Sequence, residues 1–224
     1  MRRLFILRPE PAASATAQRA TEIGLQAVVL PLFAIEPLPW DLPEPARFDA
    51  LLLTSANTLR YAGDGLPQLR GLPAHCVGET TSAAAREAGF GIASVGEEGI
   101  GRLLASIDPD LRLLHLCGEH RTPVEATQEI HHIPVYRAAE LPSPDLKQIE
   151  GQTVTIHSAR SARRLAEIAD RQGLDRPTVR IAAISEAVAA AAGSGWETCE
   201  AAGRPNSGTL LALAARLCQD RFRA

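Results

Sequence analysis

Short apolar runs alternate with alanine-rich stretches along the whole chain. The clearest runs are LFIL, LQAVVL, DALLL, AHCV and RLLHL. They are short and mostly apolar without alternation, which is typical of parallel strands buried on both faces. One stretch between the runs places four apolar residues on a predicted helix face: Ala13, Ala17, Ala20 and Ile23. Gly24 follows as a natural stop, so the pattern predicts α/β layers with a parallel sheet.

The two halves of the chain repeat one plan. The segments PLFAIEPLP, LTSANT, CVGETTSAAA and GIGRLLASI recur in the same order as PVYRAAELP, IHSARSA, AISEAVAAAA and NSGTLLALAA. Ser55 thereby matches Ser158, and Glu79 matches Glu186. Each copy covers roughly a hundred residues, about the size of a small domain. The repeat therefore predicts two similar domains.

Two equivalent proline-flanked segments interrupt this pattern, at about residues 31–39 and 134–141. Proline disfavours helices and central strands, so we interpret both segments as linkers that cross between the domains. The predicted fold is two parallel-sheet α/β domains joined by a two-stranded linker, with a cleft between them. One domain is discontinuous and holds residues 1–34 plus 141–224, and the other holds residues 40–133.

Composition excludes several classes of protein. The chain has 224 residues, 46% of them hydrophobic, and its net charge of -3 gives no attraction to nucleic acid or anionic membranes. The first apolar run is too short for a signal peptide, and no segment approaches the ~20 apolar residues of a membrane span. The four cysteines lack CxxC spacing and are expected to be buried thiols. We expect a cytoplasmic monomer without nucleic-acid or membrane partners.

Polar, glycine and arginine residues follow the predicted strands. Ligands of open parallel sheets bind beyond the carboxyl ends of the strands, and the N–H groups that begin the next helices attract anions. The candidate ligand residues are Arg8, Ser55, Asn57, Gly78, Thr80, Thr81, Gly118, Arg121, Ser158, Arg160, Ser161, Ser185, Asn206 and Ser207. Each serine or threonine alone could be an ordinary helix cap, but their recurrence in both halves predicts a cradle for an anion with several charges.

Other chemistries fit the sequence less well. It has no G-x-G-x-x-G after the first strand, no P-loop and no G-x-S-x-G nucleophile elbow. His115, Cys117 and His120 could suggest a metal, but no fourth ligand is evident. His131 and His132 would point to opposite faces of a strand, which argues against joint ligation by that pair. We therefore expect no metal and no cofactor.

Tyr136 is one of two tyrosines and lies in the second linker segment. Its partner in the repeat is Phe33, so both halves carry a ring at this position but only one carries a hydroxyl. Tyr136 is either a packing residue with its hydroxyl in solvent or a hydrogen-bond donor directed into the cleft. The residues alone leave both interpretations open.

The order of motifs resembles that of the uroporphyrinogen-III synthase family over essentially the whole chain. The segments that carry the resemblance are Arg8-Pro9, DALLLTSAN, CVGETTSAAAREAGF, HLCGEHR, IPVYRA, VTIHSARSA, AAISEAVAAAA and RPNSGTLLALA. The resemblance implies two α/β domains, one of them discontinuous, and a lyase that serves haem, sirohaem or corrinoid biosynthesis. It also implies that hydroxymethylbilane loses its terminal hydroxyl as water, and that ring D attacks through its substituted carbon and is inverted by way of a spiro intermediate.

The resemblance also implies roles for individual residues. Tyr136 matches the linker tyrosine of the family, a candidate for assisting departure of the hydroxyl. Five polar residues match family positions that contact the substrate: Ser55, Thr81, Ser158, Asn206 and Ser207. The substrate carries eight carboxylates, which suits the predicted cradle, and the family needs no metal or organic cofactor. A transient contact with the preceding enzyme of the pathway is a further expectation.

Three features depart from the family pattern. The segment after Arg121 is short and contains Pro123, which disfavours the helix expected there. Ser185 stands where the family has glycine, and Arg160 stands where it has a small residue or proline. Arg160 is therefore either an additional carboxylate ligand or a residue that faces solvent.

Two alternatives to a synthase remain at this stage. The chain could be a non-catalytic bilobal binding module for an anionic metabolite, either alone or as a degenerate family member in a larger assembly. It could also be a different lyase or transferase that acts on a polyanion. Tyr136 and the intact serine-rich loops favour a working enzyme over the binding module. The absence of metal, nucleotide and nucleophile motifs argues against most of the other lyases and transferases.

Overall fold

The computed structural model describes residues 1–97, 99–121 and 123–219. The chain forms two compact units. Unit 1 consists of Met1–Ala34 and Glu140–Ala224, and unit 2 consists of Ile35–Ala139. Each unit is an α/β structure with its own sheet and its own buried core.

Short strands and helices alternate through both units. The strands are β1 (Leu4–Ile6), β2 (Ala27–Val29), β3 (Phe33–Pro37), β4 (Ala50–Leu53), β5 (Ala74–Val77), β6 (Ile92–Gly96), β7 (Arg112–Gly118), β8 (Glu129–Glu140), β9 (Thr153–Ile156), β10 (Arg180–Ala183) and β11 (Thr198–Ala201). The helices are α1 (Ala12–Glu22), α2 (Ala56–Tyr61), α3 (Glu79–Glu87), α4 (Ile100–Ala105), α5 (Ala159–Gln172), α6 (Glu186–Ala191) and α7 (Ser207–Gln219). In the described part of the chain, no helix has the length and apolarity needed to cross a membrane.

The sheet of unit 1 is parallel, with the strand order β2-β1-β9-β10-β11. Counted within the unit this is the order 2-1-3-4-5, one of the two common doubly wound arrangements. The order reverses between β1 and β9, so the loops after these two strands diverge to opposite faces. In such folds the crevice at this reversal is where ligands bind.

The sheet of unit 2 has the order β3-β8-β7-β4-β5-β6. Its five strands from β4 to β8 are parallel and, counted within the unit, give the order 3-2-1-4-5. This is the other common doubly wound arrangement, with its reversal between β4 and β7. The α/β class with parallel sheets, predicted from the run lengths, is thus confirmed.

Burial on both faces explains why the central strand β4 is apolar at every position. In β4, Leu51 and Leu53 pack into one cluster of unit 2, whereas Ala50 and Leu52 pack into a second cluster with Leu103 of α4. All four β4 residues are at most 1% exposed. Removing a side chain such as Leu52 by mutation to alanine would cost about 2–5 kcal/mol of stability.

The first helix follows its predicted pattern except at its end. Ala13 and Ala20 are buried, and Gly24 adopts a positive φ of 82° just beyond the helix. Ile23, expected on the buried face, is 53% exposed. The helix ends at Glu22, so Ile23 is the residue at which the chain leaves the helical path. Helical spacing no longer decides its direction there.

The second proline-flanked segment is part of a longer strand than expected. Pro134 lies inside β8, which pairs with β7 on one side and neighbours the edge strand β3 on the other. The pairing shifts where Cys117 lies opposite Pro134, and Gly118 then lies opposite Tyr136. A proline cannot donate to the ladder, and the extra residue, Val135, absorbs the mismatch as a bulge.

Candidate active site

The predicted ligand residues lie at the carboxyl ends of strands in both units. In unit 2 they follow β4, β5 and β7, and in unit 1 they follow β1, β9, β10 and β11. Because parallel strands end at the same edge of a sheet, each unit gathers its own set there. The unit 2 set is Ser55, Asn57, Gly78, Thr80, Thr81, Gly118 and Arg121, together with Tyr136 on β8. The unit 1 set is Arg8, Ser158, Arg160, Ser161, Ser185, Asn206 and Ser207.

Ser55 occupies the strand-to-helix turn at the reversal point of unit 2. Its backbone is extended, with φ -154° and ψ 137°, and its Oγ accepts a hydrogen bond from the Asn57 N–H at 3.2 Å. This bond caps α2 and fixes the direction of the serine side chain.

Tyr136 packs against the other side of this reversal point. An added Cβ on Gly118 would lie 2.9 Å from Cε2 and Cζ of the Tyr136 ring and 3.1 Å from its hydroxyl oxygen. The ring therefore occupies space that only a glycine leaves free. The Tyr61 ring is its aromatic neighbour, with centroids 6.4 Å apart. Tyr136 is thus held where β4 and β7 end.

The hydroxyl of Tyr136 remains a proton donor at neutral pH. Burial raises the pKa of Tyr136 above its ordinary value of 10, and a hydrogen bond with the Ser55 side chain opposes this rise. A phenol with a raised pKa keeps its proton and can donate it. The environment therefore suits a general acid or hydrogen-bond donor rather than a base.

The loop after β5 presents one of its two threonines. Gly78 has a positive φ of 79°, which lets the chain turn sharply into α3. Thr80 is exposed at the start of the helix, whereas Thr81 is only 5% exposed and its N–H donates to the Gly78 carbonyl. The described geometry therefore makes the Thr80 hydroxyl more accessible to a ligand than that of Thr81.

The residues after β7 border a pocket of about 480 Å³. No helix forms in the described residues between β7 and β8, as Pro123 predicted. Arg121 is exposed at the pocket, and its charge contributes to lowering the pKa of both His115 and His132, although burial is the larger cause. For His115 the pKa falls to about 4.

A set of three side chains in unit 2 could hold a metal ion. The ligand atoms of His115, Cys117 and His132 all lie within 4.8 Å of one another. The sequence pattern grouped the first two with His120 and weighed His132 only as a partner of His131, because the pairing of His132 with His115 depends on the strand register. His131 does point away from His132, since its ring lies 5.7 Å from that of Phe48.

Arg8 and His157 are adjacent at the reversal point of unit 1. Arg8 follows β1 and its Nη1 donates to the Thr16 hydroxyl at 3.3 Å. His157 follows the neighbouring strand β9, and both of its ring nitrogens are buried without a hydrogen-bond partner in the described structure. Burial, and then the charges of Arg8 and Arg19, lower the pKa of His157 from 6.5 to about 3.

His157 was not among the predicted ligand residues. It directly follows the run TVTI. Its place at this strand end, one residue before Ser158, was the only signal in the sequence that it belongs to the site. The unsatisfied nitrogens could be recognised only once burial was known. An unpaired buried ring nitrogen is costly unless a ligand or water completes it.

Ser158 caps α5 of unit 1. Its backbone is extended, with φ -153° and ψ 150°, and its Oγ accepts from the Ser161 N–H at 3.1 Å. The Ser158 hydroxyl also donates to the Ser161 Oγ at 3.0 Å, and Ser161 is only 4% exposed. Ser158 and Ser161 therefore complete the start of α5 together.

Arg160 is half-buried and packs on an aromatic ring. Its guanidinium lies over the Phe33 ring, 4.6 Å from the centroid. Such stacking keeps the charge available at the edge of the guanidinium while it covers an aromatic face. The Arg160 partner, Phe33, is the residue that matches Tyr136 in the repeat.

The remaining predicted residues begin helices of unit 1. Ser185 precedes α6 with an extended backbone and makes no capping bond through its side chain. Asn206 accepts a hydrogen bond from the Thr209 N–H at 3.0 Å and so caps α7, which begins at Ser207. The Ser185 hydroxyl is therefore not committed to a cap, unlike the Asn206 side chain.

Comparison with known proteins identifies the family. The model of the family described as uroporphyrinogen-III synthase HemD matches residues 14–212. That match spans most of the chain. No curated protein matches the sequence.

Solved structures support the fold. A uroporphyrinogen-III synthetase from Helicobacter pylori 26695 has a TM-score of 0.64 and 17% identity, covering 97% of this chain and 100% of that one. A mutant uroporphyrinogen III synthase from the extremely thermophilic bacterium Thermus thermophilus has a TM-score of 0.58 and 20% identity, covering 98% of this chain and 100% of that one. At these identities the likeness shows a common fold.

Proposed function

The chain belongs to the uroporphyrinogen-III synthase family, and we propose which of its residues bind hydroxymethylbilane and which acts on the leaving hydroxyl. The reaction of the family closes the linear tetrapyrrole to uroporphyrinogen III with loss of water and inversion of ring D. The chain is accordingly a cyclising lyase of porphyrin and tetrapyrrole biosynthesis. The role of each side chain follows from its geometry and charge.

Tyr136 donates a hydrogen bond or a proton to the departing hydroxyl of the substrate. The observation that carries this assignment is the contact of its ring with Gly118, next to Ser55, at the reversal point of unit 2. Its raised pKa keeps the proton on the phenol until the leaving oxygen develops negative charge. A positioned general acid of this kind contributes about 10²–10⁴-fold to a rate.

Carboxylates of the substrate bind at the strand ends of each unit. Arg8 supplies a full positive charge, and the backbone N–H groups that begin α3 and α5 supply partial ones. A carboxylate that arrives beside Arg8 gives an acceptor to the single N–H of the neutral His157 ring. The other contacts come from Ser55, Asn57, Gly78, Thr80, Thr81, Gly118, Arg121, Ser158, Arg160, Ser161, Ser185, Asn206 and Ser207.

Orientation accounts for the product. A free bilane closes to the isomer in which ring D is not inverted, so the enzyme must be both faster and selective. Fixing several carboxylates holds ring D with its substituted carbon toward the reactive end of ring A, and such positioning can lower a barrier by about 7–11 kcal/mol. The chemistry then requires an acid and an oriented substrate, and no organic cofactor or metal takes part.

Finer properties belong to the same proposal. The two units act as two domains joined by the linker strands β3 and β8. The enzyme works as a monomer in the cytoplasm and receives its unstable substrate through a transient contact with the preceding enzyme. The net charge of -3 supports the absence of nucleic-acid partners.

The experiment that tests the function measures the isomer of the product. Hydroxymethylbilane is generated in situ, the purified protein is added, and the oxidised products are separated by chromatography into types I and III. The proposal predicts a large excess of type III over a reaction without the protein. Type I alone, formed at the uncatalysed rate, would contradict it and would favour the binding module for an anionic metabolite.

A further inference from the structure

Two neighbouring strands of unit 2 bring three potential metal ligands to one face of the sheet. His115 and Cys117 are two residues apart on β7, so their side chains point to the same face. His132 on β8 lies directly opposite His115 in the parallel register. The Nδ1 atoms of the two histidines are 3.0 Å apart, and the Cys117 Sγ lies within 4.8 Å of both rings.

A hydroxyl orients the first histidine. The Thr54 Oγ1 lies 3.0 Å from the His115 Nε2. This hydrogen bond keeps the other ring nitrogen of His115, Nδ1, directed toward His132. A hydrogen bond of this type to the distal nitrogen is the usual outer-shell support of a metal-bound histidine. When Nε2 donates to Thr54, the His115 Nδ1 presents a bare lone pair to the His132 Nδ1.

This arrangement has two solutions. Either His132 carries a proton on Nδ1 and donates it to His115, or a cation lies among two imidazole lone pairs and a thiolate. In the first solution the Cys117 thiol keeps its proton and donates it to the Ile133 carbonyl, 3.7 Å from the sulfur. In the second solution the thiol gives up that proton and its sulfur binds the cation. Two imidazoles and a thiolate are a ligand set typical of zinc and of other borderline or soft metal ions.

The cluster is accessible from one side. His115 and His132 line the pocket of about 480 Å³, which also contains Glu119 and His120. The pocket leaves room for a fourth ligand such as water, while the opposite side of the cluster is the apolar sheet. The nearby Arg121 charge opposes a cation, and the charge of a Cys117 thiolate would offset it.

We infer that His115, Cys117 and His132 form a binding site for a zinc-class divalent metal ion, with a fourth coordination position open to the pocket. The proposed synthase reaction needs no metal, so the ion would act on the fold rather than on the chemical step. By coordinating residues of β7 and β8 at once, the ion would tie the strand that carries Tyr136 to its neighbour. Metal binding would therefore stabilise unit 2.

Cobalt titration tests this inference. Tag-free protein is treated with a chelator and titrated with Co²⁺ while its absorption spectrum is recorded. The inference predicts saturation at about one ion per chain, a thiolate-to-cobalt charge-transfer band, and displacement of Co²⁺ by Zn²⁺. Absence of that band from the folded wild-type protein would overturn the site.

Matched variants locate the ion. Cys117→Ser should abolish the charge-transfer band, and His132→Gln should weaken Co²⁺ binding more than tenfold. Thr54→Val, which removes only the outer support, should weaken it by about 10–100-fold.

The controls are Cys76→Ser, a buried thiol in the cluster on the other sheet face, and His131→Gln, which is exposed. Circular dichroism checks that each variant is folded. A band that survives in folded Cys117→Ser, or disappears in either control, would contradict the assignment.

Discussion

The turn after β4 in unit 2 and the turn after β9 in unit 1 have nearly the same backbone. Ser55 and Ser158 have φ values of -154° and -153°, and each accepts a backbone N–H of the helix that follows. The rings that match in the repeat differ in their surroundings. Tyr136 packs on Gly118 near Ser55, whereas Phe33 lies beneath the guanidinium of Arg160.

The two units thus share a backbone turn but differ in the side chains that would carry the chemistry. The duplicated plan preserves the strand–serine–helix turn, which depends on backbone geometry and capping. The side chains beside it have diverged: unit 2 has an uncharged donor in Tyr136, and unit 1 has a cation in Arg8 and the unpaired His157. Tyr136 of unit 2 is accordingly expected to act on the leaving group, whereas Arg8 of unit 1 is expected to bind a carboxylate.

The strongest test of this division is Tyr136→Phe. The change removes one oxygen and leaves the ring on Gly118, so the fold should persist. We expect kcat to fall about 100-fold or more because the leaving hydroxyl loses its donor. Steady-state kinetics of type III formation measures this, with Tyr61→Phe as the matched control. Unchanged kcat in Tyr136→Phe would contradict the role of the hydroxyl.

Gly118→Ala tests the position of the ring rather than its hydroxyl. The new Cβ would meet the Tyr136 ring at 2.9 Å, so the ring must move. A displacement of about 1 Å can cost up to 100-fold in rate, and we expect a fall in kcat of tens-fold. Gly91→Ala is the control, since its Cβ would meet nothing within 4 Å. Equal kinetics in the two variants would show that the ring position is unimportant.

Arg8→Gln tests unit 1. A charge-assisted hydrogen bond contributes about 1.5–3 kcal/mol, and each 1.4 kcal/mol corresponds to about tenfold. We therefore expect KM to rise at least about tenfold with a smaller change in kcat. The exposed Arg163→Gln of α5 serves as the control. A fall in kcat at constant KM would move Arg8 from binding to catalysis.

His157→Asn is expected to change how the stability of the fold depends on pH below about 6.5. The pKa of His157 is about 3 in the fold, below its ordinary 6.5, so the unfolded chain takes up a proton first as pH falls. The stability that the neutral ring allows is fully present above about pH 6.5 and is lost progressively toward pH 3. As pH falls through this window, the free energy of unfolding of His157→Asn should decrease by up to about 1 kcal/mol less per pH unit than that of the wild type. Urea unfolding at several pH values measures the slope, and parallel slopes would exclude His157 as a cause.

The sequence predicted the buried strands because their pattern depends only on local composition. The edge strands β6 and β11 were missed, since they are half-buried and contain Ser94 and Glu200. Pro134 was placed correctly in an extended segment, but the bulge that accommodates it depends on the pairing with β7. The local pattern of residues therefore predicted which segments are strands, whereas the register between strands is seen only in the folded sheet.

The candidate site shows the same limit. Sequence position identified the strand-end residues, and Ser55 and Ser158 were recognised as turn residues. It could not tell that Thr81 and Ser161 turn inward or that Arg160 stacks on Phe33. Nor could it show that His132 lies beside His115, because these two residues are 17 positions apart in the chain. Such pairings arise from contacts between distant segments.

The most direct test of the division between the units is the affinity for a bilane that lacks the terminal hydroxyl. This ligand keeps the carboxylates and offers no leaving group, so its dissociation constant reports carboxylate binding alone. Isothermal calorimetry should give nearly equal constants for the wild type and Tyr136→Phe, and at least about tenfold weaker binding for Arg8→Gln. Weak binding by Tyr136→Phe together with normal binding by Arg8→Gln would contradict the account.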